Sequence, residues 1–255
     1  MTGDDLKDEV LVVTGGSRGI GRATVLAAAA RGARVAFCSR DEAGQAEVVE
    51  AAVALSASER VLAVRADVSR EGDVERLFDA ALSAFGEVDA VVSNAGFSRE
   101  ALLVSLTTRE WDEVLATNLT GSFLVARRAV RAFVERGRGG RIVFMGSLQQ
   151  NGAPRGAAAY ATSKGGLGGL TRAIAWEYRT RGIRANQVVT GYVDTAMTSH
   201  LPETARRLFA ERCPQRRLAT PEEIASVLLF LASERSRGVN GETVYASGGM
   251  MEISL

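Results

Sequence analysis

The chain has 255 residues, 46% of them hydrophobic, and its 31 basic residues nearly balance 30 acidic ones for a net charge of +1. That is enough apolar material for one domain with a large core, and too little excess charge for a protein whose main partner is nucleic acid. No run of about 18 apolar residues occurs, so no transmembrane helix is predicted. The acidic, polar N-terminus does not read as a signal peptide, and two cysteines, Cys38 and Cys213, with a lone histidine, His200, suggest no metal site and fit a reducing cytoplasm.

In chain order, short apolar runs alternate with helix-length segments. Strands are predicted over 9–13, 34–38, 61–66, 88–93, 140–146, 183–189 and 242–246, with the longest helices near 108–136 and 158–180. Such alternation predicts a single α/β domain, doubly wound, with a seven-stranded parallel sheet covered by helices on both faces. The stretch 190–218 departs from the pattern. It holds Pro202 and Pro214 and ends at Thr220-Pro221-Glu222-Glu223, a helix-capping signature. An excursion of that length is read as an irregular substrate lid, with Tyr192, Met197, Leu201 and Phe209 as its apolar cover.

The first strand runs into Thr14-Gly15-Gly16-Ser17-Arg18-Gly19-Ile20-Gly21 and then an alanine-rich helix. Strand, glycine turn and helix together form a phosphate site, because glycine lets the backbone approach a pyrophosphate and the helix N-terminus offers free N–H groups. The spacing is Gly-x-x-x-Gly-x-Gly rather than Gly-x-Gly-x-x-Gly. The second strand ends at Ser39-Arg40, where an NAD enzyme of this architecture places a carboxylate. Arg40 with Arg18 suits a 2′-phosphate, which predicts NADP(H). The competing reading gives the ribose to Asp41 or Glu42 and leaves Arg40 solvated.

Farther along, Arg127, Arg128, Arg131, Arg136, Arg138 and Arg141 form a local basic cluster. It is read as a solvated helix face, with a dock for an anionic carrier as the alternative. Ser147 ends the fifth strand, and Tyr160 and Lys164 stand four residues apart on one helix face. Of the 31 basic residues only Lys7 and Lys164 are lysine, so a compact ammonium at this place is a specific choice. Beside the tyrosine it is expected to lower the phenol's pKa by favouring the phenolate.

Taken together these motifs resemble the short-chain dehydrogenases/reductases over about Leu6 to Met250. The likeness is strongest to bacterial 3-oxoacyl-[acyl-carrier-protein] reductases and related polyketide ketoreductases, through Arg109-Glu110-Trp111-Asp112 and Asn118-Leu119-Thr120-Gly121-Ser122-Phe123. The resemblance implies a catalytic tetrad of Asn118, Ser147, Tyr160 and Lys164, with Asn118 holding a water that relays protons to Lys164. It implies cofactor contacts from Gly15, Ser17, Arg18, Gly19, Ile20, Gly21, Ser39, Arg40, from Asp67 and Val68 at adenine, and from Asn94-Ala95-Gly96 at the nicotinamide. Tyr160 and Lys164 would also touch the cofactor, and Val193 and Thr195 would meet its carboxamide. The implied reaction is reduction of a ketone or acyl thioester, carried on acyl carrier protein or coenzyme A, by a cytoplasmic homotetramer. The long helices carry more apolar residues than one sheet face needs, among them Phe123, Leu124, Val125, Leu167 and Trp176. The resemblance implies that these two helices pair across a two-fold axis, with Gly248-Gly249-Met250-Met251 at a second contact.

The chain departs from the family in three places. Thr190-Gly191 replaces Pro-Gly, which predicts a less restricted hinge for the lid. Trp176 stands where the carrier-protein reductases have an arginine for docking, although Arg131 matches the other such arginine. Gln149 and Gln150 follow the catalytic serine, where they either face solvent or form a polar pocket wall opposite Tyr192 and Met197 for a substrate rich in oxygen. A dehydrogenase of a sugar, steroid or other secondary alcohol is the runner-up. A catalytically silent nucleotide sensor on the same fold is the alternative of another class.

Overall fold

In a computed structural model of the chain, residues 6–55, 57–195 and 203–250 are described. Met197, His200, Leu201, Pro202 and Met251, named above, lie outside these residues.

Seven strands form one parallel sheet in the order β3-β2-β1-β4-β5-β6-β7. They are β1 (Val10–Thr14), β2 (Arg34–Ser39), β3 (Val61–Arg65), β4 (Ala90–Ser93), β5 (Gly140–Ser147), β6 (Ile183–Thr190) and β7 (Thr243–Ala246). The helices are α1 (Gly19–Ala30), α2 (Glu42–Ala54), α3 (Glu71–Phe85), α4 (Thr108–Leu115), α5 (Gly121–Arg136), α6 (Ala158–Glu177), α7 (Glu203–Arg212) and α8 (Pro221–Leu231). The predicted strands are all present, within three residues at each end. The strand order reverses at β1 and β4, and the crevice over their C-terminal ends is where open α/β sheets hold ligands.

Central strands read as continuous apolar runs because both faces are covered: every residue of β1 and β4 is buried. One core lies under α1 and α8, built on Val13, Phe37, Ile224 and Leu228. The other lies under α3, α5 and α6, built on Phe78, Phe133, Phe144 and Leu167. As predicted, Pro221 opens α8 and Thr220 caps it, in a reciprocal pair with Glu223.

Three expectations are corrected. The stretch 190–218 is not wholly irregular, because it contains α7. Thr190 is no hinge: it is buried and laddered between Ser147 and Ala246, a place where proline could not donate into the sheet. The helix over 108–136 is not uniform, because between α4 and α5 the chain makes one π-type turn over Ala116–Thr120.

Candidate active site

The glycine turn is shaped by what a side chain there would hit. Gly15 has φ +67, and a Cβ on it would lie 2.9 Å from Ala95 Cα. A Cβ on Gly21 would lie 2.1 Å from Gly15 O, so the start of α1 closes directly onto the turn. Asn94 and Ala95 brace it from β4. Their backbone N–H groups both donate to Thr14 Oγ1 at 3.0 Å, and Asn94 Nδ2 donates to Thr14 O at 3.0 Å and Gly15 O at 3.2 Å. This clamp on Thr14 was not foreseen, although a threonine ending a buried strand was its visible signal. Ser17 is buried, while Arg18, at the N-cap of α1, is exposed and its guanidinium has no partner among the described residues. A Cβ on Gly19 would meet Thr195 Cγ2 at 3.4 Å, so the loop after β6 reaches the turn. In that loop Val193 is buried and bridges to Ala219.

At the end of β2, Ser39 Oγ donates to Asp41 O at 3.0 Å and accepts from Asp41 N at 3.1 Å. Asp41 caps α2 by accepting from Gly44 N, and Glu42 pairs with Arg65 at 3.3 Å. Both carboxylates that could have served a ribose are therefore engaged elsewhere. Arg40 is well exposed and lies 3.6 Å from Asp67, beside Val68, which packs against Gly121. The Asp67 carboxyl, although partly desolvated, is held below its usual range by hydrogen bonds from Ser69 and by Arg40. The pair links the expected 2′-phosphate contact to the expected adenine contact.

Ser147, at the end of β5, accepts from Gln149 N at 3.3 Å, and its hydroxyl lies near enough to the Tyr160 phenol to act on its pKa. Lys164 lies one turn along α6, its ammonium 5.7 Å from the centroid of the Tyr160 ring and donating to Met145 O at 2.8 Å. Burial shifts both groups. The Lys164 ammonium falls from 10.5 to about 8 because desolvation disfavours its charge. The Tyr160 phenol is raised, by desolvation, with the Ser147 hydrogen bond opposing. The expectation of a lowered tyrosine is thus corrected for the protein alone: the ammonium serves a main-chain carbonyl, and burial outweighs it.

Asn118 is wholly buried in the π-type turn. Its Oδ1 accepts from Phe97 N at 3.0 Å, while Nδ2 donates to Phe97 O at 2.9 Å and Ser163 Oγ at 3.0 Å. Its side chain thus staples the loop after Gly96 to α6, one residue before Lys164. A Cβ on Gly96 would lie 3.0 Å from Asn118 Oδ1 and 3.3 Å from Lys164 Nζ, so the three converge. Phe97 and Ser163 carried no signal in the sequence.

The two glutamines part company. Gln149 is partly buried and its Oε1 has no hydrogen-bond partner among the described residues, whereas Gln150 Oε1 accepts from Gln187 Nε2 at 2.9 Å. Neither points simply to solvent, and Gln150 turns its carbonyl to Gln187 of the scaffold. Tyr192 stacks on Phe209 of α7 with ring centroids 4.0 Å apart. It packs on a small cluster of Leu148, Val189, Cys213 and Met250, which fixes the C-terminal end of α7 beside the turn after Ser147.

The basic cluster is neutralised within the chain. Arg127 pairs with Glu71, Arg128 with Glu75 and Asp79, and Arg131 with Glu75. Arg136 and Arg138 meet Glu87 and Asp89, and Arg141 meets Glu9 and Glu234. Trp176 is 70% exposed, with the Arg179 guanidinium 4.1 Å from its ring centroid.

No described helix is long and apolar enough to cross a membrane, and no described group of His, Cys, Asp or Glu could hold a metal ion. A family model described as enoyl-(acyl carrier protein) reductase matches residues 15–251. Among curated proteins, the 3-oxoacyl-[acyl-carrier-protein] reductase FabG of Escherichia coli K12 is 35% identical over 249 residues, covering 98% of this chain and all of the relative. The 3-oxoacyl-[acyl-carrier-protein] reductase MabA of Mycobacterium tuberculosis H37Rv is 37% identical over 240 residues, covering 94% of this chain and 92% of its own. Among solved structures, levodione reductase superposes with a TM-score of 0.91 at 32% identity, over 96% of this chain and 98% of that one. A glucose/ribitol dehydrogenase from Brucella melitensis gives 0.89 at 31% identity, over 98% and 99%. Matches of this extent, on a fold whose crevice gathers Ser147, Tyr160 and Lys164 beside a glycine turn, make the chain an oxidoreductase of the short-chain dehydrogenase/reductase family.

Proposed function

We propose that this protein is an NADPH-dependent ketoreductase acting on a 3-oxoacyl thioester or a related polyketide. The observation that carries the reading is the Ser147–Tyr160–Lys164 cluster at the crevice, two neighbouring hydroxyls with a buried ammonium behind them. The residues fit a nicotinamide dinucleotide: Gly15 and Gly19 hold left-handed φ of +67 and +54 in the turn, and the N–H groups of Gly19, Ile20 and Gly21 at the start of α1 would meet its pyrophosphate. The cofactor supplies the hydride. Arg18 and Arg40 hold its 2′-phosphate, a role supported by the engagement of Asp41 and Glu42 elsewhere.

Ser147 Oγ donates a hydrogen bond to the substrate carbonyl oxygen, where negative charge grows. Tyr160 Oη gives that oxygen its proton, and its raised pKa keeps the phenol protonated at neutral pH until the alkoxide develops. Lys164 Nζ steadies the phenolate left behind and the ribose. Asn118 holds α6 in place through Ser163. Helix α7, with Phe209 on Tyr192, covers the substrate.

A second reading has a specific observation behind it. The neutralised basic cluster and the exposed Trp176 offer an acidic carrier little to grip, which favours a free ketone or secondary alcohol. Loss of NADPH absorbance with an acetoacetyl thioester, set against a simple cyclic ketone, separates the two. Turnover of the thioester alone supports the first reading, of the cyclic ketone alone the second, and of neither sinks both.

A further inference from the structure

Gln187 is wholly buried in β6, yet neither the motifs nor the proposed chemistry uses it. Its Nε2 donates to Lys164 O at 3.2 Å and to Gln150 Oε1 at 2.9 Å, and its Oε1 accepts from Thr243 Oγ1 at 3.4 Å. A main-chain carbonyl can only accept, so the contact with Lys164 fixes which end of the amide points there. Both amide protons are spent on the active-site side of the sheet.

The neighbouring strand is cut to fit this side chain. Phe144 pairs with Gln187 and Gly146 with Val189, so Gly146 and Gln187 share one face. A Cβ on Gly146 would lie 2.7 Å from Gln187 Nε2 and 3.0 Å from Gln150 Oε1. A Cβ on Gly168 of α6 would lie 3.3 Å from Gln187 Oε1. Any larger residue at 146 would displace the amide.

Lys164 is consequently held at both ends. Its ammonium donates to Met145 O of β5, and its carbonyl accepts from Gln187 of β6. Through Gln150 the same amide reaches the turn that begins at Ser147. We propose that Gln187 is a positioning residue, fixing α6 to the sheet at Lys164 and tying that attachment to the turn carrying Ser147. An apolar side chain of equal size would fill the space, but it would leave Gln150 Oε1 without its donor and Lys164 free to shift. The kinetic consequence rests on the ketoreductase reading; the placement of Lys164 does not.

The test uses the fact that Lys7 and Lys164 are the only lysines. Labelling lysine at Cε gives two NMR signals, and the pH midpoint of the Lys164 signal reports its surroundings directly. In Gln187→Met that midpoint moves by about half a pH unit or more. In the same variant kcat for ketone reduction falls about tenfold, while the Kd for NADPH stays within about twofold of wild type. A merely structural glutamine would lower Tm and leave the midpoint and kcat unmoved, and that result overturns the proposal. Should Gln187→Met fail to fold, Gln187→Asn is read the same way, because an amide one methylene shorter cannot span both acceptors. If the wild type reduces neither the thioester nor the cyclic ketone, the ketoreductase reading fails and the Lys164 midpoint alone decides the role of Gln187.

Discussion

At the scale of single residues, charge decides the cofactor and burial decides the chemistry. Arg40 is exposed and lies 3.6 Å from Asp67, a loose pair that a 2′-phosphate would outcompete with charge-assisted bonds. Arg40→Asp should therefore shift the ratio of kcat/KM from NADPH toward NADH by about 10–100-fold. Equal use of both nucleotides by the wild type would refute this.

Lys164 supplies a stability prediction with a definite sign. The folded chain releases the lysine proton at about 8, the unfolded chain near 10.5. Between those values the unfolded state binds more protons, so stability rises with pH across that window, and the destabilisation is fully present below about 8. Lys164→Met should be more stable than wild type at pH 7, by on the order of 2 kcal/mol, and inactive. Denaturant titrations at pH 7 and near pH 10 check it: the advantage should shrink as pH rises. Tyr160→Phe should lose about 10²–10⁴-fold in kcat with NADPH affinity intact, since only the transferable proton is removed; near-normal turnover would sink the mechanism.

At the scale of elements, the same reasoning explains what the sequence could show. Apolar runs such as Val10–Thr14 and Ala90–Ser93 were legible because both faces of a central parallel strand are buried. Ser147, Tyr160 and Lys164 were legible because strand end and helix face fix where side chains point. What stayed hidden depends on partners far along the chain. Asn118 engages Phe97 and Ser163, and Gln187 engages Lys164 and Gln150; no local pattern encodes such pairs. Helix α7 escaped because it is polar and lacks a strong apolar stripe: five of its ten residues are arginine or glutamate, against Leu208 and Phe209 as large apolar ones, so periodicity gave little signal. Among the described residues it is attached chiefly by the Tyr192–Phe209 stack, the Arg206–Asp194 pair at 2.8 Å and the cluster around Cys213. Phe209→Ala removes the stack, worth about 0.5–1.5 kcal/mol. It should raise the KM for ketone up to about tenfold and leave NADPH binding unchanged. Amides of Glu203–Arg212 should also exchange more slowly once NADPH and a substrate analogue are bound. Exchange indifferent to ligand would leave α7 a fixed surface helix.

At the scale of the whole molecule, the open question is how one protomer meets another. Of the apolar residues on the long helices that the sequence left in apparent surplus, Leu124, Val125 and Leu167 prove to be core. Phe123 on α5 and Trp176 on α6 remain outside, 42% and 70% exposed, each with an arginine over its ring. Aromatic and arginine side chains are the composition of association surfaces rather than of solvated faces. Exposed aromatics on two helices can meet their own copies across a two-fold axis, and closed two-fold assemblies are the usual outcome. The C-terminal segment was expected to make a second contact, yet Met250 is buried on Cys213 of its own chain. A second contact would therefore have less of that segment to use, and in a tetramer the helical face would carry most of the association. A homotetramer, four times 27.0 kDa, is the expected species in light scattering at micromolar concentration. Trp176→Asp places a charge at the centre of the proposed contact and should shift the protein to smaller species while its Tm and NADPH binding survive. A wild-type monomer at that concentration, or a Trp176→Asp variant that assembles as the wild type does, would show that these two aromatics serve something other than self-association.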